Sequence, residues 1–213
     1  MNGLLHEPLL HSTPIADLRP TQFTVGMREV RVKQKAWRDR ESGDFEKFLT
    51  AHMVPVVLGP EGKRYLIDHH HLALALSLEK EPSVFVNVVG DLTKVDDEGA
   101  FWNMMEFHGW THPYDSKGRR RPYVELPKSV EGLKDDPYRS LAGELRDLGG
   151  FAKQAVPFAE FVWADFLRGR IDAKAVEADF DAALTKALAL AKSSDASYLP
   201  GWCAPKGKKG KKA

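Results

Sequence analysis

The stretch MVPVVLGPEGKRYLIDHHHLALALSLEK, residues 53–80, constrains the fold of this chain more than any other. Its two short apolar runs, MVPVVL and RYLI, flank a GPEG turn, which predicts two neighbouring strands joined by a hairpin or tight corner. The run DHHHLALALSLEK predicts a helix with the histidines in its first turn, and VFVNVV at residues 84–89 predicts another buried strand. This β-turn-β-α-β order predicts a compact α/β unit whose polar residues gather at the strand-to-helix junction.

The segment before this unit predicts one strand and two helices. PIADLRP, residues 14–20, predicts a short strand that ends at its proline. TQFTVGMREVRVKQKAWR predicts a helix that buries Val25, Val32 and Ala36, with a threonine as its cap, although an alternating strand through its valines fits the same residues. SGDFEKFLTAH, residues 42–52, predicts a second, short helix.

Helical patterns dominate the second half of the chain. Four segments each predict a helix: VDDEGAFWNMMEFHGW, DDPYRSLAGELRDLGG, QAVPFAEFVWADFLRGR and AKAVEADFDAALTKALALAKSS. The last of them carries an apolar stripe of Val176, Phe180, Leu184 and Leu188. THPYDSKGRRRPYVELP, with three consecutive arginines, predicts a polar loop.

These patterns predict four regions. We expect a leader at residues 1–13, an α/β domain at 14–95, a helical cap packed on it at 96–202, and a disordered Lys/Gly tail at 203–213.

Charge and composition exclude several classes of function. Residues 204–213 hold five lysines, so the net charge of +1 leaves −4 for the rest of the chain, which predicts weak or no binding of nucleic acid. No apolar run is long enough to span a bilayer, so we expect no membrane partner. The one cysteine, Cys203, has no partner in the chain, which predicts a fold without disulfides in the cytoplasm.

The strand-to-helix junction predicts a site for phosphate, a metal, or both. A helix that begins directly after a strand presents free backbone N–H groups and the positive end of its dipole, which favour an anion. Asp68 can cap this helix or hold Mg²⁺ beside a bound phosphate. The histidines can donate hydrogen bonds to phosphate, relay protons or bind a metal. Because consecutive helical residues point about 100° apart, at most two of His69, His70 and His71 can face one ligand.

Taken together, these motifs resemble the ParB/sulfiredoxin superfamily. Its loose signature, IPVVxG, a turn, LIDGHHRLxAA and VxVxV, is similar to VPVVLGPEGKRYLIDHHHLALAL and VFVNVV here. The similarity is greatest to the branch of ParB-like nucleases, through DLRPTQFTVG, DHHH, DDPYRSLA and FAEFVWADF within residues 14–202. The resemblance implies an α+β fold in which a ParB/sulfiredoxin-like α/β unit with a small mixed sheet precedes a mainly helical half.

Members of this superfamily differ in activity, and the residues here agree best with one group. Sulfiredoxins carry a cysteine directly before the motif histidine, where this chain has His69. Partition proteins of the ParB type bind CTP with an arginine-rich helix and add a helix-turn-helix, and neither pattern occurs in this sequence. Free-serine kinases hold nucleotide phosphates with a D-G-H-H-R box and use a glutamate of the first helix region as general base. That pattern is the closest chemical match.

The resemblance transfers only part of the kinase box to this chain. Asp68 matches the box aspartate, and His70 and His71 match its two histidines. His69 replaces the glycine, which puts a side chain where backbone approaches phosphate, and Leu72 replaces the arginine, which removes a bidentate phosphate clamp.

Three further residues are candidates for the same site. Glu29 lies in the region of the family's general base. The alternative, that Glu29 only lies at the edge of the apolar face of its helix, remains open. Lys33 or Arg139 can supply the missing positive charge. Arg139 follows the acidic cap DDPY, so a local ion pair is the alternative for it.

The function that follows is binding of a nucleotide or another phosphate-bearing small molecule, with phosphoryl transfer or hydrolysis as its extension. The predicted catalytic residues are Asp68, His70 and Glu29, the predicted phosphate-binding residues are His69, His70, His71, Lys33 and Arg139, and Asp68 is the predicted ligand of Mg²⁺ bound with a nucleotide. Two alternatives stay open. One is a metal-dependent nuclease or phosphoesterase, with His108 or His112 completing the metal sphere. The other is a non-catalytic interaction module with a degenerate site.

Overall fold

The computed structural model describes residues 11–40 and 44–204, and it contains both sheets and helices. The strands are β1 His11–Pro14, β2 Leu18–Pro20, β3 Thr24–Val25, β4 Val54–Leu58, β5 Arg64–Leu66, β6 Ser83–Asp91 and β7 Lys134–Asp135. The α-helices are α1 Met27–Arg38, α2 Phe45–Ala51, α3 His70–Leu78, α4 Glu98–Phe107, α5 Pro137–Asp147, α6 Ala159–Arg168, α7 Ala173–Ala178 and α8 Phe180–Ala191. The α+β prediction is confirmed.

A five-stranded mixed sheet forms the first half, in the order β1-β6-β4-β5-β2. β4 and β5 form the predicted hairpin, with Val56 opposite Leu66 in antiparallel register. β6 follows α3 and runs parallel to β4, so this pair is a crossover that places α3 on one face of the sheet. β1 lies antiparallel to β6, and β2 lies parallel to β5. The small mixed sheet is thereby confirmed.

α3 is buried from His70 to Leu76, because the central part of its sequence is apolar on every face, whereas Leu78 at its end is exposed. All five residues from Leu72 to Leu76 are buried, and they belong to the same core cluster as Val54, Val56 and Leu66 of the sheet. α1 packs on the other side of α3. The first turn of α3 is thus held in place by both the sheet and α1.

The predicted apolar face of α1 is wrong. The helix begins at Met27 with Gly26 as its N-cap, so Val25 belongs to β3 and lies outside the helix. Val30 and Trp37 are the buried residues of α1, whereas Val32 is 65% exposed. The predicted register of α1 is wrong because the helix starts after the threonines that the sequence suggests as its cap.

The helical half has a core of its own, formed by α5, α6 and α8. The indole of Trp163 lies at its centre and donates a hydrogen bond from Nε1 to the Pro200 carbonyl oxygen at 2.8 Å. The segment predicted as one last helix is instead α7 and α8, because Asp179 is extended and caps α8 by accepting from the Ala182 N–H. The helix is therefore interrupted between α7 and α8, and the regular apolar stripe in the sequence does not reveal this interruption.

Asp136 joins the two ends of this helical core. Its Oδ1 caps α5 by accepting from the Tyr138 N–H at 3.0 Å, and its Oδ2 accepts from Arg168 Nη2 at 2.6 Å. Asp136 is fully buried, and Arg168 also contacts Asp165 on the surface of α6. One carboxylate thereby fixes both the start of α5 and the end of α6.

Some predicted boundaries fall on parts of the chain outside the described residues. Residues 1–10 of the leader and 205–213 of the tail belong to these parts, whereas residues 11–13 form β1, an edge strand of the sheet. The domain boundary near residue 95 stays a prediction. Within the described ranges, none of the helices combines the length and apolar character that crossing a membrane requires.

Replacing Asp136 by alanine tests how much the helical half depends on this carboxylate. We expect Asp136→Ala to lower the free energy of unfolding by about 3 kcal/mol, because it removes a helix cap and leaves the partly buried Arg168 without its buried partner. Urea denaturation measures the change. The double variant Asp136→Ala/Arg168→Met should recover part of the loss, and an additive double variant would contradict the pairing.

Candidate functional site

A cavity of about 580 Å³ lies in front of the first turn of α3. The junction residues Asp68 to Leu72 form one wall. α1 and α5 contribute charged side chains, and the segment between α5 and α6 covers the remaining side. Besides the junction residues, the charged and aromatic residues that line the cavity are Glu29, Lys33, His52, His108, Trp110, Arg139, Arg146, Lys153, Phe158, Glu160 and Phe161. The structure therefore brings together every residue that was predicted to bind phosphate or act in catalysis, while the roles of these residues stay predictions.

His69 occupies a backbone conformation that explains the glycine of the family pattern. Its φ of 63° and ψ of 24° lie in the left-handed region, where a residue with a side chain is strained. His69 is the N-cap of α3, and its Nδ1 is buried without a hydrogen-bond partner among the described residues. The ring thus fills space beside the helix start that a glycine would leave open.

His70 is anchored to the backbone through both ring nitrogens. Nε2 accepts a hydrogen bond from the Thr21 N–H at 3.3 Å, and the ring also donates to the Leu66 carbonyl oxygen. The side chain is 3% exposed, and this burial lowers the pKa of His70 to about 3. A neutral ring with both nitrogens engaged positions the loop before α1. A catalytic role for His70 stays a prediction.

His71 makes the equivalent contact one residue further along the helix. Its Nε2 accepts from the Gly26 N–H at 3.0 Å and lies 3.6 Å from Glu29 Oε2. Burial, followed by the positive charge of Arg139, holds the pKa of His71 well below its usual value. The ring is therefore neutral, and its short distance to Glu29 is not an ion pair.

Asp68 does not cap α3. Its Oδ1 accepts from the N–H of the next residue, His69, at 2.6 Å, and no side chain of the described residues caps the helix. The first intrahelical bond runs from the Ala73 N–H to the His69 carbonyl oxygen. The N–H groups of the first turn of α3 are therefore available at the cavity, and the Asp68 carboxylate is exposed beside them.

Arg139 reaches the cavity from α5 with an incompletely satisfied charge. The residue is 7% exposed, and its Nε is buried without a hydrogen-bond partner in the described part of the chain. Its closest carboxylate is Glu29, at a long 3.4 Å from Nη1 to Oε2, and its guanidinium carbon lies 5.3 Å from the centre of the Phe161 ring. The local ion pair with the DDPY cap does not form, because Asp136 binds Arg168 instead.

Gly143 provides the space in which the Arg139 guanidinium lies. It is one turn after Arg139 on α5, and a Cβ at residue 143 would lie 3.2 Å from Arg139 Nη1 and 3.8 Å from Glu29 Oε2. The first of these distances is shorter than an ordinary van der Waals contact. A glycine in the middle of a helix lowers its stability, so this space comes at a cost to α5.

Several charged residues of the cavity were missed by the sequence analysis. Arg146 lies seven residues after Arg139, which places both arginines on one side of α5 about 10 Å apart. That spacing is the signal that would have identified Arg146. It forms an ion pair with Glu160, whose pKa is lowered, against the effect of burial, by Arg139 and Arg146. Lys153 comes from an irregular segment without a recognisable pattern.

Of the other two histidines that were considered for a metal, one lines the cavity and the other does not. His108 is exposed at the rim of the cavity, whereas His112 does not line it. The His112 ring packs 4.1 Å from the centre of Phe161, and burial lowers its pKa to about 4. Within residues 11–40 and 44–204, no three His, Cys, Asp or Glu side chains converge on a point that could hold a metal ion.

Leu72 stands in the place of the family arginine. Its uncharged side chain is buried in the core. The positive charge of the cavity comes instead from Lys33, Arg139, Arg146 and Lys153. Backbone N–H groups and a buried guanidinium facing one space are the features of an anion site.

Comparisons with known proteins found one matching family and a similar structure. A model of the family described as "Putative ParB-like nuclease" matches residues 11–169. The crystal structure of protein Atu1540 from Agrobacterium tumefaciens is similar, with a TM-score of 0.87 and 47% sequence identity over 95% of this chain and 100% of that one. No curated protein matches the chain. The resemblance to the ParB-like nuclease branch is confirmed.

The buried histidines predict a loss of stability in mild acid. Because the pKa values of His70, His71 and His112 are lowered in the folded chain, unfolding takes up protons below about pH 6.5, where unfolded histidines titrate. Stability should be constant above this pH and fall below it, by up to about 1.4 kcal/mol per pH unit for each histidine. Urea denaturation between pH 7 and pH 5 measures the slope. His112→Phe should reduce the slope by about one proton, and a flat profile in the parent protein would refute the assignment.

Proposed function

Because the chain belongs to the family described as "Putative ParB-like nuclease", we propose that the cavity in front of α3 binds the phosphate group of a nucleotide or a related small molecule. The observation that carries this proposal is Arg139, a buried arginine whose Nε has no partner among the described residues and which faces the cavity. A buried charge is costly unless it is fully hydrogen-bonded. An anion that accepts from Arg139 would remove this cost.

The start of α3 supports the same ligand. Its first-turn N–H groups lack a side-chain cap, and the residues that carry them line the same cavity as Arg139. Backbone N–H groups and the helix dipole favour the dianionic form of a phosphate. The hydrogen bonds of His70 and His71 to Thr21 and Gly26 fix the position of this turn, so the donors are arranged before the ligand binds.

Magnesium binding is a proposal that depends on the phosphate. Mg²⁺ typically uses one or two carboxylates together with water and substrate phosphate oxygens. Asp68 fits as a single carboxylate ligand, because it is exposed and lies beside the uncapped helix start. When bound there, Mg²⁺ would neutralise phosphate charge. Lys33 and Lys153 would contribute positive charge from the other walls of the cavity.

Hydrolysis or transfer of the phosphoryl group is a second candidate function, favoured by the position of Glu29. Its carboxylate lies in the cavity beside Arg139 and has 29% of its side chain exposed, so a water molecule or hydroxyl group can reach it. A carboxylate next to a phosphate clamp can act as general base for the attacking oxygen. In that reaction Glu29 accepts the proton, and Arg139 stabilises the charge on phosphate. The nuclease in the family's description would be one case of it.

Removing the charge of Arg139 tests the phosphate site. We expect wild-type protein to melt at a higher temperature with pyrophosphate, ribose 5-phosphate or ADP, since a ligand at a hundred times its Kd adds about 2.7 kcal/mol of stability. In Arg139→Gln the affinity should fall by about 10- to 100-fold, the value of a charged hydrogen bond. Thermal shift followed by calorimetric titration measures both.

The control for this experiment is Arg31→Gln, which removes an exposed arginine of α1 that does not line the cavity. It should leave the affinity unchanged. Equal loss in both variants would mean that general electrostatic attraction explains binding. No shift with any of the three ligands, with or without Mg²⁺, would refute the proposal.

Gly143→Ala separates binding from stability. The added Cβ should displace the Arg139 guanidinium and weaken binding several-fold, while better helix propensity raises the free energy of unfolding by about 1 kcal/mol. Calorimetric titration and urea denaturation measure the two effects. In an Arg139→Gln background the substitution should not weaken binding further. A more stable variant with undiminished affinity would show that Gly143 does not position Arg139.

A further inference from the structure

The cavity has two chemically different sides. Arg139, Lys33 and the start of α3 form a polar side, at which the proposed phosphate would lie. The loop after α4 and the segment before α6 form a second side, which is mainly aromatic and apolar but includes Lys153 and Gln154. A phosphate group bound at the polar side would not account for this second side.

A stacked ring pair lines the second side. The rings of His108 and Trp110 are 4.2 Å apart and 19° from parallel. His108 is exposed and Trp110 is half-buried, so this pair is not enclosed by the core. Trp110 lies against Gly90 of β6, where a Cβ would approach its ring to 3.0 Å, and this close contact fixes the ring on the sheet.

The segment before α6 faces this pair with further apolar surface. Val156 and Pro157 are exposed, and Phe158 is half-buried with a left-handed φ of 61°. Gly109 also has a positive φ, and a Cβ there would lie 2.9 Å from Pro157 Cγ. The two segments therefore approach each other closely at Gly109, next to the stacked rings.

The cavity is large enough for a ligand bigger than a phosphate group. A volume of about 580 Å³ is within the range of pockets that hold a whole small molecule. An anionic group at Arg139 would leave the side with Trp110 to the remainder of the molecule. Aromatic walls of this kind favour flat, polarisable rings, which stack on them at little entropic cost.

We propose that the ligand carries a planar ring that stacks against His108 and Trp110 while its phosphate binds at Arg139. This inference rests on the proposed phosphate site and adds the chemical class of the ligand, a nucleoside phosphate in place of a phosphorylated sugar or amino acid. The ring subsite would contribute affinity by stacking, whereas the phosphate would be held at Arg139.

Paired ligands that differ only by the ring test this subsite. Calorimetric titration compares ribose 5-phosphate with AMP and CMP, which contain the same sugar phosphate with a purine or a pyrimidine. At least one nucleotide should bind about 10-fold more tightly than ribose 5-phosphate, as expected for one base stacked on an aromatic side chain. Quenching of tryptophan fluorescence should accompany nucleotide binding and be weaker with the sugar phosphate.

Trp110→Leu identifies the residue responsible. It should reduce nucleotide affinity to that of ribose 5-phosphate and leave ribose 5-phosphate affinity unchanged. Trp202→Leu is the matched control, because Trp202 is also half-buried and lies outside the cavity. If Trp110→Leu fails to fold, His108→Ala tests the exposed ring of the same pair, with a partial loss of the nucleotide preference expected.

The outcomes separate the two proposals. Equal affinity for ribose 5-phosphate and both nucleotides in the wild-type protein would overturn the ring subsite and leave the phosphate site standing. Equal weakening of sugar phosphate and nucleotide by Trp110→Leu would also overturn it, because the residue would then act on the cavity as a whole. Absence of binding by all three ligands would overturn the phosphate site and this inference together.

Discussion

The hydrogen bonds that His70 and His71 accept from the backbone of Thr21 and Gly26 hold the rest of the structure in position. They connect the first turn of α3 to the segment that carries β3 and the start of α1. Because both rings are neutral and buried, each replaces a water molecule that the backbone N–H groups would otherwise need. Without these contacts, neither Glu29 nor the helix start would have a defined place in the cavity.

Two histidines that look reactive in the sequence thus serve first as structural acceptors, and the charge of the cavity comes from another part of the fold. Arg139 belongs to α5, far along the chain from the DHHH box, and it enters the cavity beside Glu29 at 3.4 Å. Leu72 occupies the box position at which the family pattern has an arginine, and it is buried. The guanidinium of Arg139, from the helical half, thus brings to the cavity a positive charge that the DHHH box lacks.

The helical half therefore has two physical roles. Its own core, together with the ion pair of Asp136 and Arg168, holds α5 in the position from which Arg139 reaches the cavity. The segment between α5 and α6 then closes one side of the cavity with Pro157 and Phe158. Burial strengthens the electrostatic attraction that Arg139 can exert on an anion, since water screens it less there. The cavity has this character only because both halves of the chain contribute to it.

The amino-acid sequence by itself determined the hairpin, the buried α3, the caps of α5 and the position of the DHHH junction, because apolar periodicity and turn residues act over short distances. It could not place α1 in register, since Val30 and Val32 also fit an alternating strand, and the pairing of β3 with β7 delays the start of the helix to Met27. Only the tertiary structure decided that the histidines accept hydrogen bonds from the backbone, that Asp136 forms an ion pair with Arg168, and that Arg139 faces the cavity. These outcomes depend on which groups meet across long sequence separations, where burial and competition for hydrogen-bond partners select one arrangement.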